Sequence, residues 1–168
     1  MIFTAFSDGM LAMGAREVKC ALGPAGVTPA ALKREGDGAT PLGVWPIRRV
    51  LYRPDRGGQP ATLLPVEPIA EHDGWCDAAD DPAYNRPVTL PYPASAEHMW
   101  REDGLYDLCV ILGHNDDPVV PGAGSAIFLH CAHPDYRPTQ GCIALARQDL
   151  EGLLEMARPG DAVAVVHR

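Results

Sequence analysis

Proline and glycine interrupt this chain so often that most of it is barred from forming helices of any length. Seventeen of each are spread over 168 residues. Proline removes a backbone donor and clashes with the preceding helical turn, and glycine loses the most conformational freedom on ordering. Only Arg147 to Ala157 carries a clear helical period. There Leu150, Leu153, Leu154 and Ala157 fall at i, i+3, i+4 and i+7, and Pro159-Gly160 stops the run. Ser95 to Arg101 reads as one or two further helical turns with Ser95 as N-cap. The remainder has to be built from short extended segments and turns.

Those segments can be placed in order. Ile2 to Phe6, the turn Ser7-Asp8-Gly9 and Met10 to Met13 read as a hairpin, and Glu17 to Leu22 as a third strand ended by Pro24 and Gly26. Residues 28–43 read as a polar surface loop, with Lys33 and Arg34 solvated or contacting carboxylates. Val44 to Tyr52 is a strand in which Pro46 marks an edge or a bulge. Residues 53–93 are long for a structureless connection, so they hide short strands or form a lid or one wall of a cleft. Tyr106 to Leu112 has strong β character with Cys109 in the core, and Ala162 to Val166 closes the chain. The sum predicts one mainly β domain over residues 1–168, a β-sandwich of two packed sheets with one or two short helices.

Charge and composition narrow the function. A formal charge of −8 argues against a broad nucleic-acid-binding surface. No run of 18 or more apolar residues is present, so no membrane-spanning helix is expected, and the N-terminus shows no signal-peptide pattern. Five cysteines is an odd number with no disulfide-framework spacing, so at least one thiol is free unless chains pair.

The chemistry concentrates near the C-terminus. Ile127-Phe128-Leu129 delivers His130 from a buried strand, and Thr139-Gln140-Gly141-Cys142 follows before the apolar run Ile143-Ala144-Leu145. A histidine and a cysteine on neighbouring strand ends can lie within hydrogen-bond reach, which turns a thiol into a nucleophilic thiolate. Gly141 permits close backbone approach and unusual φ, so the amides of Gln140, Gly141 and Cys142 can converge on an oxyanion. His133 is an alternative base; His130 is preferred because the apolar run fixes its backbone, whereas His133 precedes Pro134 in a loop. Thr139 either brings a hydroxyl near the oxyanion or serves as a turn residue. Two further readings compete. His114, His130, Cys131, His133 and Cys142 are zinc-competent, although no Cys-x-x-Cys or His-x-x-x-His spacing occurs. A non-catalytic binding module is the other, and it would have no need of a poised thiol.

The stretch from Gly124 to His130 and on to Leu145 resembles the YkuD-type L,D-transpeptidases, whose signature is an upstream histidine followed by Ser/Thr-x-Gly-Cys. Glu35-Gly36-Asp37-Gly38-Ala39-Thr40-Pro41-Leu42-Gly43 resembles that family's Gly-Asp-x-x-Thr-Pro-x-Gly turn. Trp75-Cys76-Asp77, Tyr84-Asn85-Arg86, Tyr106-Asp107 and Gly113-His114-Asn115 resemble landmarks of one bacterial branch. Gln140 stands where many relatives carry His, and Ala144 where many carry Arg. The resemblance implies a β-sandwich with Cys142 as nucleophile, His130 as base and an oxyanion hole at residues 140–142. It implies peptidoglycan stem peptides as partners, contacted by Thr139, Arg86, Tyr84, Trp75 and His133. It also implies a location in the periplasm or cell envelope and an L,D-carboxypeptidase as the alternative activity; a monomer with no cofactor and no metal is expected.

Overall fold

The computed structural model describes residues 1–168. The strands in chain order are β1 (Ile2–Phe6), β2 (Met10–Met13), β3 (Arg16–Ala21), β4 (Val27–Pro29), β5 (Thr40–Tyr52), β6 (Val66–Pro68) and β7 (Asp73–Cys76). They continue with β8 (Pro87–Thr89), β9 (Ala96–His98), β10 (Leu108–Leu112), β11 (Phe128–Cys131), β12 (Ile143–Leu145) and β13 (Ala162–Val166). One α-helix, α1 (Arg147–Met156), lies between β12 and β13, and a single 3-10 turn spans Ala30–Leu32. The fold is therefore mainly β with one helix.

Ten strands share one sheet in the order β10-β11-β12-β3-β2-β1-β13-β5-β4, with β6 attached to β5. Because β5 also pairs with β10, the path closes into a ring. The length of β5 makes this possible. Gly43 to Pro46 pair with β13, and Ile47 to Tyr52 pair with β10. Pro46 sits where β5 passes from one partner to the other, next to a register shift opposite Ile111 and Leu112. The extra residue of that bulge is Arg48, and Pro46 lies two positions before it, at the changeover between partners and not on an open edge.

Strict alternation sorts the side chains into two cores. Leu108, Val110, Leu112, Leu129, Cys131, Ile143 and Leu145 face the larger one, where Leu150, Leu153 and Leu154 of α1 join them. Each such leucine contributes roughly 1.5–3 kcal/mol by leaving water. The intervening residues Cys109, Ile111, Phe128 and Cys142 face the other way. They meet Trp75, Met99 and Tyr106 in a smaller core beneath a second sheet of order β8-β7-β9.

Two expectations need correcting and a third is borne out. Ser95 to Arg101 is not helical: Ala96–His98 forms β9 and pairs with Gly74 to Cys76. A helix of under two turns cannot offset its nucleation cost, whereas pairing with β7 satisfies its backbone at once. Residues 53–93 do hide short strands, β6, β7 and β8, as their length implied. Residues 28–43 are not a bare surface loop. β4 pairs in parallel with Thr40 to Leu42, and Lys33 is only 2% exposed, its ammonium held by the Asp37 carboxylate and the Arg34 carbonyl.

Candidate active site

The twelve-residue interval between His130 and Cys142 is the signature of a parallel crossover. β11 and β12 run parallel, and parallel neighbours cannot be joined by a tight hairpin. Residues 132–142 carry the chain back to the start of β12. The register pairs Leu129 with Ile143 and His130 with Ala144. Cys142 therefore stands two residues before the partner of His130, on the same face of the sheet. Both side chains are nearly buried, at 4% and 8% exposure, and both line one cavity of about 410 Å³.

The electrostatics of the pair differ from the expected ion pair. Burial pushes the Cys142 thiol up to about 12, with the nearby Glu97 charge adding to the effect. Burial likewise pushes the His130 imidazole down to about 4. Both shifts favour the uncharged forms, so the resting site holds a thiol and a neutral imidazole. His130 Nδ1 lies 2.8 Å from the Cys131 carbonyl. A carbonyl can only accept, so Nδ1 carries the proton and Nε2 keeps its lone pair. The sulfur itself donates to the Ala126 carbonyl at 3.0 Å and accepts from the Phe128 amide at 3.4 Å.

The turn before the nucleophile is braced from below. Thr139 Oγ1 accepts from the Gly141 amide at 3.1 Å and donates to the Cys142 carbonyl at 2.7 Å. Thr40, fully buried, accepts from the Gly23 amide and donates to the same Cys142 carbonyl. Asp37 caps the amides of Arg34 and Ala39, which holds the turn that carries Thr40. Of the three expected oxyanion donors, the Gly141 amide is thus occupied by Thr139. The amides of Gln140 and Cys142 have no partner within the chain.

Among the expected site residues, Cys142, His130, Gln140, Thr139 and His133 line the cavity; Gly141 shapes its turn without lining it. Trp75, Tyr84 and Arg86 do not line it. Trp75 is a core residue, donating from Nε1 to Asn85 Oδ1 and set edge-on against Phe128. Tyr84 is buried and donates its hydroxyl to Glu35, which Ser125 Oγ also contacts at 2.7 Å. Arg86 is exposed and its guanidinium is turned to the Asp116 carbonyl at 2.6 Å. Its guanidinium chemistry and the resemblance point to a substrate contact, but Arg86 stands one residue before β8 on the exposed surface.

Several cavity residues were not foreseen. Tyr106 packs edge-on against His130 with centroids 5.3 Å apart and donates its hydroxyl to Glu97. Glu97 is pushed up by burial even though that hydrogen bond opposes the shift. Arg101 pairs with Asp103 at 2.6 Å and reaches Glu97 at 3.4 Å. Glu97 and Arg101 come from the segment misread as helix, so no periodicity pointed to them. Tyr106 and Glu35 were legible only as members of the quoted motifs.

Three of the zinc-competent residues, His130, His133 and Cys142, line the cavity, but no group of three or more His, Cys, Asp or Glu side chains could hold a metal ion. His130 faces the cavity while Cys131 turns into the larger core. No helix is long and apolar enough to cross a membrane.

A family model described as the L,D-transpeptidase catalytic domain (YkuD) matches residues 2–165. Among solved structures, L,D-transpeptidase 1 of Mycobacterium tuberculosis aligns at 14% identity with a TM-score of 0.44. That alignment covers 98% of this chain and 58% of the other. The search of curated proteins gave no match.

Proposed function

The chain belongs to the YkuD family of L,D-transpeptidase catalytic domains, and on that premise we propose that it cross-links peptidoglycan stem peptides through an acyl-enzyme on Cys142. The observation that carries this reading is the sharing of one cavity by Cys142 and His130, on one face of adjacent parallel strands.

The thiol attacks the carbonyl that follows an L-centre, at its bond to the next D-residue. As the S–C bond forms, the thiol proton passes to His130 Nε2. No preformed ion pair is needed, because a neutral imidazole is a competent base once the sulfur begins to bond. The Cys131 carbonyl stabilises the imidazolium through Nδ1–H. The oxyanion is met by the unpartnered amides of Gln140 and Cys142. When the intermediate collapses, the C–N bond breaks and His130 returns the proton to the leaving amine. An amine on a second stem then attacks the thioester, gives its surplus proton to His130, and the sulfur leaves and is reprotonated. Water in place of that amine gives L,D-carboxypeptidase action with the same residues. In this reading Thr139 and His133 border the substrate, and Trp75, Tyr84 and Arg86 support the scaffold. The site of action is the cell envelope, where stem peptides are found.

Incubation with defined tetrapeptide muropeptides, read by mass spectrometry, tests the proposal. Cross-linked dimers are expected from the native protein, with turnover reduced by roughly 10³-fold or more in Cys142→Ala and His130→Ala. Tripeptide without dimer would assign the carboxypeptidase reaction instead. Undiminished turnover in Cys142→Ala would sink the mechanism.

A further inference from the structure

Asn85 is 4% exposed, and every hydrogen-bonding position of its side-chain amide is taken. Oδ1 accepts from Trp75 Nε1 and from the Ala126 amide, both at 3.0 Å. Nδ2 donates to the His114 carbonyl at 3.1 Å and the Asn115 carbonyl at 2.7 Å. One of these partners is unusual. Ala126 has φ of +52°, a left-handed conformation that an alanine leaves unless its surroundings hold it there. Its amide is fixed by Asn85, and its carbonyl accepts the Cys142 thiol at 3.0 Å. A short line of contacts thus runs from the Asn85 amide through one strained residue to the sulfur.

We propose that Asn85 is a positioning residue for the nucleophile: by holding Ala126 left-handed, it aims a backbone carbonyl at Cys142 and keeps the sulfur docked there as a protonated thiol until substrate binds. The proposal rests on the reading of Cys142 as nucleophile. A hydrogen bond donated by S–H stabilises the protonated form, which acts in the same direction as burial. The ionisable groups facing the sulfur are Glu97, Lys33, Arg101, Tyr106, Cys109 and His130. None of them bonds to the Asn85 side chain, so a neutral substitution there leaves the surrounding charges in place. A change in the titration of Cys142 is then transmitted by backbone and packing, most directly through Ala126, whose amide and carbonyl join Asn85 to the sulfur.

The test is the pH dependence of Cys142 alkylation by iodoacetamide, followed by peptide mapping in the native protein and in Asn85→Ser. In the variant, the apparent pKa of Cys142 falls by about one unit, which makes alkylation at pH 8 about tenfold faster. Muropeptide turnover falls at least fivefold with KM within twofold of native, because a freed sulfur is no longer aimed. A purely structural role would leave the alkylation profile unmoved, and a profile superimposable on the native one overturns the proposal. The infrared S–H stretch of Cys142, isolated by subtracting the Cys142→Ser spectrum, gives a readout that survives misfolding of Asn85→Ser. A hydrogen-bonded band supports the docked thiol, and a free-thiol band refutes it. The alkylation profile and the infrared band need no muropeptide, so an inactive native protein would count against the cross-linking reading while leaving this one decidable.

Discussion

At the scale of single residues, Gly141 shows how closely the backbone is drawn around the nucleophile. Its φ is +120°, and a Cβ built there would lie 2.8 Å from the Ala39 carbonyl oxygen. That neighbour is main chain, braced by Asp37 on one side and Thr40 on the other, so it cannot step aside. Gly141→Ala is expected to destabilise the protein by about 2 kcal/mol or more and to slow Cys142 acylation at least tenfold. Thermal unfolding and thiol acylation kinetics would check this; an alanine variant with native values on both counts would show the turn to be slack. Cys142 and His130 were legible because reactive residue types stood beside apolar runs that fix a strand. Lys33 was not: a lysine in a polar stretch reads as solvated, and only the fold shows that the Asp37 carboxylate and the Arg34 carbonyl receive its buried ammonium.

At the scale of elements, the crossover from β11 to β12 and the turn leading into β5 form one unit. Asp37 holds the turn, the turn presents Thr40, and Thr40 and Thr139 both grip the Cys142 carbonyl. Asp37→Ala removes the caps of Arg34 and Ala39 and strands the Lys33 charge in a dry position. The loss is expected to be on the order of 3–5 kcal/mol, as for other buried pairs broken from one side. Denaturant unfolding would measure it, and Lys33→Met in the same background should recover part of the loss. If the double variant is no more stable than the single one, the stranded charge is not the cause. The strand β9 was missed at this scale because three residues cannot display a period. Its identity depends on β7, which lies twenty residues upstream and was itself hidden among prolines.

At the scale of the whole molecule, closing the ring of strands and covering it with a second sheet creates a dry interior on both faces of β10 and β11. Two histidines are buried, His130 in that interior and His114 just past the end of β10 against Trp45, each pushed by burial down to about 4. Unfolded, both take up a proton near pH 6.5. Between those values the unfolded chain binds more protons than the folded one, so stability falls as pH is lowered from about 6.5 to 4. The loss is on the order of 3 kcal/mol for each of them. Differential scanning calorimetry should show an unfolding midpoint that drops across this window, with a shallower drop in His130→Asn; a midpoint flat from pH 7 to 4 would contradict the neutral, buried imidazole. The sequence by itself determined the longer strands β1, β2, β3, β10 and β13, where α1 lies, and that a histidine and a cysteine flank apolar strand runs, because those features follow from local period and turn chemistry. Only the tertiary structure decided that the pair rests uncharged, that Glu97 and Arg101 share its cavity, and that Trp75, Tyr84 and Arg86 do not. Protonation and proximity are set by what desolvates a group and by which strands pair, and both depend on residues far apart along the chain.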